Sequence, residues 1–298
     1  VSHTLTPRHA LLALGVVLVW GTNFVVIKLA LAHLPPLLFA TLRFTLAAFP
    51  GVFLLKRPKV PLGQLALYGI LIGVGQFGLL FIAINGRIAP GLASLVVQSQ
   101  VFFTIGLAMA LTGERLRAVQ VAALAMGAAG IAMIGANTGG ATTAVGIALT
   151  LGAATAWACG NLIQRRAMGV DMLAYVVWAS LFAVPPLFLL SLAIEGWPMM
   201  VAGVVHADAA TWGAVVWQAV GNTMFGYGAW GFLLTRYPAA TVAPWSLLVP
   251  VFGMGAAAWW LAEPLPLWKL GAGALVLGGL ALNLLWPRFE RLWLTAAA

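Results

Sequence analysis

APGLASLVVQSQVFFTIGLAMALTGE, residues Ala89 to Glu114, returns 149 positions later as PAATVAPWSLLVPVFGMGAAAWWLAE, residues Pro238 to Glu263. Under that shift Phe103 falls on Phe252, Gly106 on Gly255 and Glu114 on Glu263, and one more apolar run follows each glutamate. A second match opens each half: Trp20 then Lys28, against Trp157 then Arg165, at an offset of 137. The offsets differ, so the copies align only with gaps, and Leu-, Ala- and Gly-rich helices resemble one another even without duplication. Read as a repeat, the matches divide the chain into residues 1–138 and 139–298, each with five apolar runs. Five is odd, so the second copy crosses a membrane in the opposite sense to the first. Such inverted-topology repeats allow two halves to expose one central site to either side in turn.

The composition requires a bilayer. Of the 298 residues 63% are hydrophobic and only 7% charged, against roughly 25% charged in a soluble domain. Such a chain cannot cover itself with a water-compatible surface, whereas helices in lipid satisfy their own backbone. Apolar runs fall at 10–31, 36–55, 62–84, 90–111, 117–136, 144–164, 172–194, 211–234, 239–262 and 267–286. Each is long enough to span a hydrocarbon core at a rise of ~1.5 Å per residue. The expected fold is an all-α integral membrane protein of ten transmembrane helices. The first run exceeds a signal-peptide core and is read as a retained helix.

The net charge of +9 does not mark a nucleic-acid partner, because the basic residues sit in short clusters between the runs. With both termini cytoplasmic, Arg8, Lys56, Arg57, Lys59, Arg115, Arg117, Arg165, Arg166, Arg236, Arg288 and Arg291 collect inside, 11 of the 15. Lys28, Arg87 and Lys269 fall outside and Arg43 within a helix. That bias sets the expected orientation, with an inner (plasma) membrane location. The single cysteine, Cys159, leaves no internal disulfide to form.

WGTNFVVIKLAL from Trp20, LPPLLFATLRFTLAA around Arg43, and the two glutamate-ended stretches resemble the EamA-type units of the drug/metabolite transporter superfamily over nearly the whole chain. Within it the likeness is greatest to YddG-type amino acid exporters. The resemblance implies ten helices, cytoplasmic termini, a central cavity and export of metabolites, often amino acids. Where the family's fourth helix often carries proline, this chain has Gln100 and Val101, although Pro250 is kept in the second half.

The six carboxylates, Glu114, Asp171, Glu195, Asp208, Glu263 and Glu290, lie at run ends or in loops, as do the four histidines. No acid or imidazole is placed to relay protons at depth or to balance a lipophilic cation. No paired acids, nucleophile with base, or metal-ligand set suggests an enzyme, and no cofactor is expected. Amide, hydroxyl and aromatic groups remain at depth: Trp20, Asn23, Gln76, Ser94, Gln98, Trp157, Asn161, Asn222, Tyr227 and Trp230, with Gln218 one turn before Asn222. These can hydrogen-bond and stack a small zwitterion without trapping it, or they can simply hold helices together.

Arg43 costs about 2.5–3.5 kcal/mol in a span unless paired or wet. Two partners stand open from the sequence: an ion pair with Glu263 at the same outer end, or the carboxylate of a cargo. Gly73 and Gly75 allow close sliding contacts, while Pro50, Pro185, Pro244 and Pro250 remove backbone bonds where helices could bend. Taken with what the resemblance implies, these features lead to the expectation of a secondary transporter exporting amino acids or similar metabolites by alternating access, coupled or as a facilitator. A channel-like pore and a multidrug exporter of another metabolite class are the competing readings. The expected partners are the cargo and the lipid bilayer; the sequence leaves oligomeric state open.

Overall fold

The computed structural model describes residues 5–112, 118–167, 169–237 and 239–296. Glu114, Arg115 and Arg117 lie outside the described residues, as do the side chains of Arg288, Glu290 and Arg291. Among the described residues nine helices are long and apolar enough to cross a membrane. We number the helices α1 (Pro7–Ala30), α2 (Pro36–Leu54), α3 (Leu62–Ile84), α4 (Pro90–Leu111), α5 (Ala118–Ala136), α6 (Ala144–Arg165) and α7 (Met172–Ile194). They continue with α8 (Trp197–His206), α9 (Ala209–Arg236), α10 (Ala243–Leu261) and α11 (Leu267–Ala296). Helices α8 and α9 meet at a 105° bend and together supply the tenth candidate span. The stretch between the seventh and eighth apolar runs is therefore a helix, where the sequence suggested only a linker.

Local chemistry explains where the helices start. Pro7, Pro36 and Pro90 occupy first-turn positions whose missing N–H costs nothing. Thr143, Asp171 and Asp208 accept first-turn amide hydrogens of α6, α7 and α9. Helix α2 is interrupted between Ala48 and Gly51, with Pro50 at the break. Pro185 and Pro186 lie inside a continuous α7. Pro244 falls in a 3-10 segment, and Pro250 in the first turn of the α-helix that follows.

Two irregularities recur in both sets of five spans. The third span of each contains a π-helical segment, Leu71–Gly78 in α3 and Trp217–Phe225 in α9. The fourth contains a 3-10 segment, Val97–Ser99 in α4 and Ala243–Leu247 in α10. The packing is exchanged between the sets: α1 lies against α9 and α10, while α6 lies against α3 and α4. Helix α2 pairs with α7, and α5 with α11 at the periphery. Close approaches depend on small residues. A Cβ on Gly21 would stand 2.5 Å from Phe252, and one on Gly130 2.7 Å from Val276. The main apolar core draws on every helix, most heavily on α1 to α4 and α7, and Arg43 is buried beside it.

Candidate functional site

Arg43 sits in α2 between the two π segments and is 1% exposed. Its guanidinium lies 3.5 Å from the ring centre of Phe77, in the first π segment, and 5.0 Å from that of Phe44. Its Nη2 donates to Thr223 Oγ1 at 3.2 Å, in the second. Thr223 in turn donates to the Gln218 carbonyl at 2.9 Å, an i to i+5 contact of the π register. Such segments place side chains off the 3.6-residue repeat and occur often at functional sites. Trp20 Nε1 donates to the Asn222 carbonyl at 3.2 Å, and its ring lies 5.8 Å from Tyr227 and 5.2 Å from Trp230. Asn222 Nδ2 reaches Gln218 Oε1 at 3.5 Å. The structure therefore brings Trp20, Arg43, Asn222, Tyr227 and Trp230 together, and buries Asn23 and Gln76 on the neighbouring α1 and α3.

Five buried polar atoms on α1, α2, α3 and α9 have no protein partner among the described residues: Asn23 Oδ1, Arg43 Nε, Arg43 Nη1, Gln76 Oε1 and Gln218 Nε2. Each is a group whose desolvation costs ~1–3 kcal/mol when nothing bonds it, and more for a charged group. The cation–π contact with Phe77 offsets only part of the guanidinium's burial.

The remaining candidates lie apart from that cluster. Gln98 Nε2 donates to the Ser246 carbonyl at 3.3 Å, joining the two 3-10 segments. Asn161 Nδ2 donates to Gln100 Oε1 at 2.8 Å and Thr104 Oγ1 at 3.3 Å, tying α6 to α4. Trp157, also on α6, is half-buried against the apolar core. Ser94 donates to its own helix at Gly91 O, 2.7 Å away, and packs where Gly253 leaves room. It joins neither polar group. Gly73 abuts Ala183 of α7, and a Cβ on Gly75 would stand 2.6 Å from Ala156 of α6, so both are close-packing positions.

The ion pair between Arg43 and Glu263 is not formed. Glu263 accepts from Lys269 Nζ at 2.8 Å and from the Gly91 amide at 2.9 Å. It therefore neutralises a lysine that is itself buried and caps α4. Arg43 instead meets Thr223, Phe77 and Phe44. Phe77 and Thr223 were missed from the sequence because a π register moves them onto a face that helical periodicity assigns elsewhere. Gln218, one turn from Asn222, carried the visible signal.

The two ends of the bundle are tied differently. At the end where α2, α4, α6 and α9 begin, called distal here, Glu195 accepts from Leu37 N at 2.6 Å, Leu38 N at 3.0 Å and Ser191 Oγ at 2.6 Å. Thr143 Oγ1 donates to Arg87 O at 2.9 Å, and His33 Nδ1 meets Thr211 Oγ1 at 2.9 Å. The Asp208 carboxyl is held below its usual range by the Thr211 amide and then the Thr211 hydroxyl, with a smaller contribution from His33. At the proximal end, where α1 begins, His9 meets the Tyr237 hydroxyl at 2.7 Å and Trp178 Nε1 donates to Leu55 O at 3.0 Å. A cleft of about 580 Å³ opens there between α2 and α7, lined by Lys56, Arg57, Lys59 and Asp171 among others.

The sequence profile of the EamA-like transporter family matches residues 8–136 and again residues 144–285. A probable amino-acid metabolite efflux pump of Salmonella typhimurium is 43% identical over 96% of this chain and 98% of its own length. A protein of Escherichia coli K12 with the same description is 41% identical over the same shares. One crystal structure shares the fold with a TM-score of 0.64 at 22% identity, covering 96% of this chain and 99% of the other.

Proposed function

From membership of the EamA-like transporter family, to which this multi-pass membrane chain belongs through both sets of five spans, we propose that it exports amino acids or closely related metabolites. The cargo is suggested by what the two relatives over 40% identical are described as moving. The observation that carries the reading within this chain is the convergence of both π segments on Arg43 and Trp20. Polar atoms without partners, next to an aromatic group, are groups that a small polar cargo can complete when the site opens.

In this reading residues 1–138 and 139–298 are inverted copies with both termini in the cytoplasm of a plasma membrane. The matched π and 3-10 segments and the exchanged packing support that symmetry. The distal ties then close the outer face, and alternation consists of releasing them while the proximal contacts close. Rocking about Pro50, Pro185, Pro244 and Pro250, with Gly73 and Gly75 as sliding contacts, supplies the movement. Asn161 and Gln98 hold α4 against α6 and α10 beside the route.

Two experiments test this. A cysteine at Thr138, in a chain lacking Cys159, is expected to react with an impermeant thiol reagent in intact cells; reaction only after lysis would reverse the orientation. Cells fed dipeptides and expressing the chain are expected to excrete selected amino acids faster than cells expressing none. Equal excretion of every amino acid, with the protein present in the membrane, would defeat the cargo assignment.

A further inference from the structure

The unpartnered polar atoms on and near Arg43 are of two kinds, carried on four helices of which α2 packs against the π segments of α3 and α9, and α1 against that of α9. Arg43 Nε, Arg43 Nη1 and Gln218 Nε2 are donors; Asn23 Oδ1 and Gln76 Oε1 are acceptors. Thr223 links the donors, since it accepts from Arg43 and donates to the Gln218 carbonyl. Asn222 Nδ2 engages Gln218 Oε1, which leaves Gln218 Nε2 as the free end of that amide. The acceptors are carried on the adjoining helices α1 and α3. Gln76 precedes Phe77, whose ring lies under the guanidinium. Asn23 is one turn beyond Trp20 on α1, and Trp20 bonds Asn222 on α9. These helices run antiparallel, so the turn that carries Asn23 away from Trp20 brings it level with Gln218, one turn before Asn222.

A carboxylate binds where several donors, at least one of them charged, converge; an ammonium binds at neutral oxygen acceptors away from other cations. We infer that the cargo is an α-amino acid recognised by both its free charged groups, its carboxylate taken by Arg43 with Gln218 and its ammonium by Asn23 and Gln76. A simple anion would leave the two acceptors unserved, and a simple cation would face the guanidinium. Amino acids with a blocked carboxylate or a blocked amine each lose one half of the match. This inference rests on the reading of the chain as an amino-acid metabolite exporter.

The test uses the purified full chain in liposomes. Counterflow of a labelled amino acid is competed by the same amino acid, by its methyl ester and by its N-acetyl derivative. The wild type is expected to bind each blocked compound about 10- to 150-fold more weakly than the free amino acid, the range for losing a hydrogen-bonded charge. R43Q is expected to abolish discrimination against the ester, and Gln76→Leu to reduce discrimination against the N-acetyl compound while leaving that against the ester intact. Free amino acids carried with both blocked forms competing equally well would overturn the inference and leave the exporter reading standing. Ester discrimination retained in R43Q would also overturn it. If R43Q does not yield folded protein, the wild-type analogue series and Gln76→Leu decide. A folded wild type that carries no amino acid defeats the exporter reading itself.

Discussion

Replacing Glu195 by alanine removes three hydrogen bonds at once from the distal end. Glu195 is half-buried, follows the last residue of α7 and caps the first turn of α2 through the Leu37 and Leu38 amides. Losing a cap costs ~0.5–2 kcal/mol, and the carboxylate's interaction with the helix dipole adds ~0.3–1 kcal/mol. The fully buried Ser191 hydroxyl also loses its 2.6 Å acceptor, although it can turn to its own helix. Water at the membrane surface can serve the two amides. A net loss of about 1–3 kcal/mol follows, a factor of roughly 5–150 in any opening equilibrium that breaks this tie. The assay is the labelling rate of a cysteine at Thr41, buried one turn below the cap, in a chain lacking Cys159. If the tie holds the distal end shut, Glu195→Ala speeds labelling by that factor while the protein stays monodisperse. An unchanged rate would refute the assignment of Glu195 to closure, leaving it a cap that persists in every state.

Other outcomes follow from the same geometry. A side chain at Gly226 would collide with the Trp20 indole nitrogen, so Gly226→Val should displace Trp20 from Asn222, shift its fluorescence and reduce turnover at least tenfold, with overpacking costing about 1–3 kcal/mol. Gly255→Ala meets open space and should leave transport and stability unchanged. Asp208 has a lowered folded-state pKa, so its contribution is present above the ordinary aspartate value of about 3.9 and is lost as pH falls through the lower value. Hydrogen exchange at the first-turn amides of α9 should therefore lose protection in that acid window, and Asp208→Asn, which keeps a capping oxygen, should remove the pH step.

The spans were legible in the sequence because crossing a membrane constrains composition over some twenty residues, which no local irregularity hides. Trp20, Arg43 and Asn222 were legible for a related reason: polar or indole groups at depth stand out against an apolar background. What escaped was register. A π segment adds residues to a turn without changing composition, so Thr223 and Phe77 gave no sign that they meet Arg43. The Glu263 alternative for Arg43, one of two left open by the sequence, rested on membrane side alone, whereas Lys269 and the Gly91 amide already complete Glu263. Helix α8 was overlooked because its ten residues are too few to span a membrane, although Pro198 in its first turn was a usable start signal.

The central claim, that this bundle carries amino acids or their close relatives by alternately exposing one site, is tested most directly by counterflow in liposomes. Vesicles preloaded with an unlabelled amino acid should accumulate the labelled form transiently and saturably, with the trace shrinking as the internal pool is removed. Flux that rises linearly with concentration and ignores the internal pool would contradict the claim and describe a pore instead.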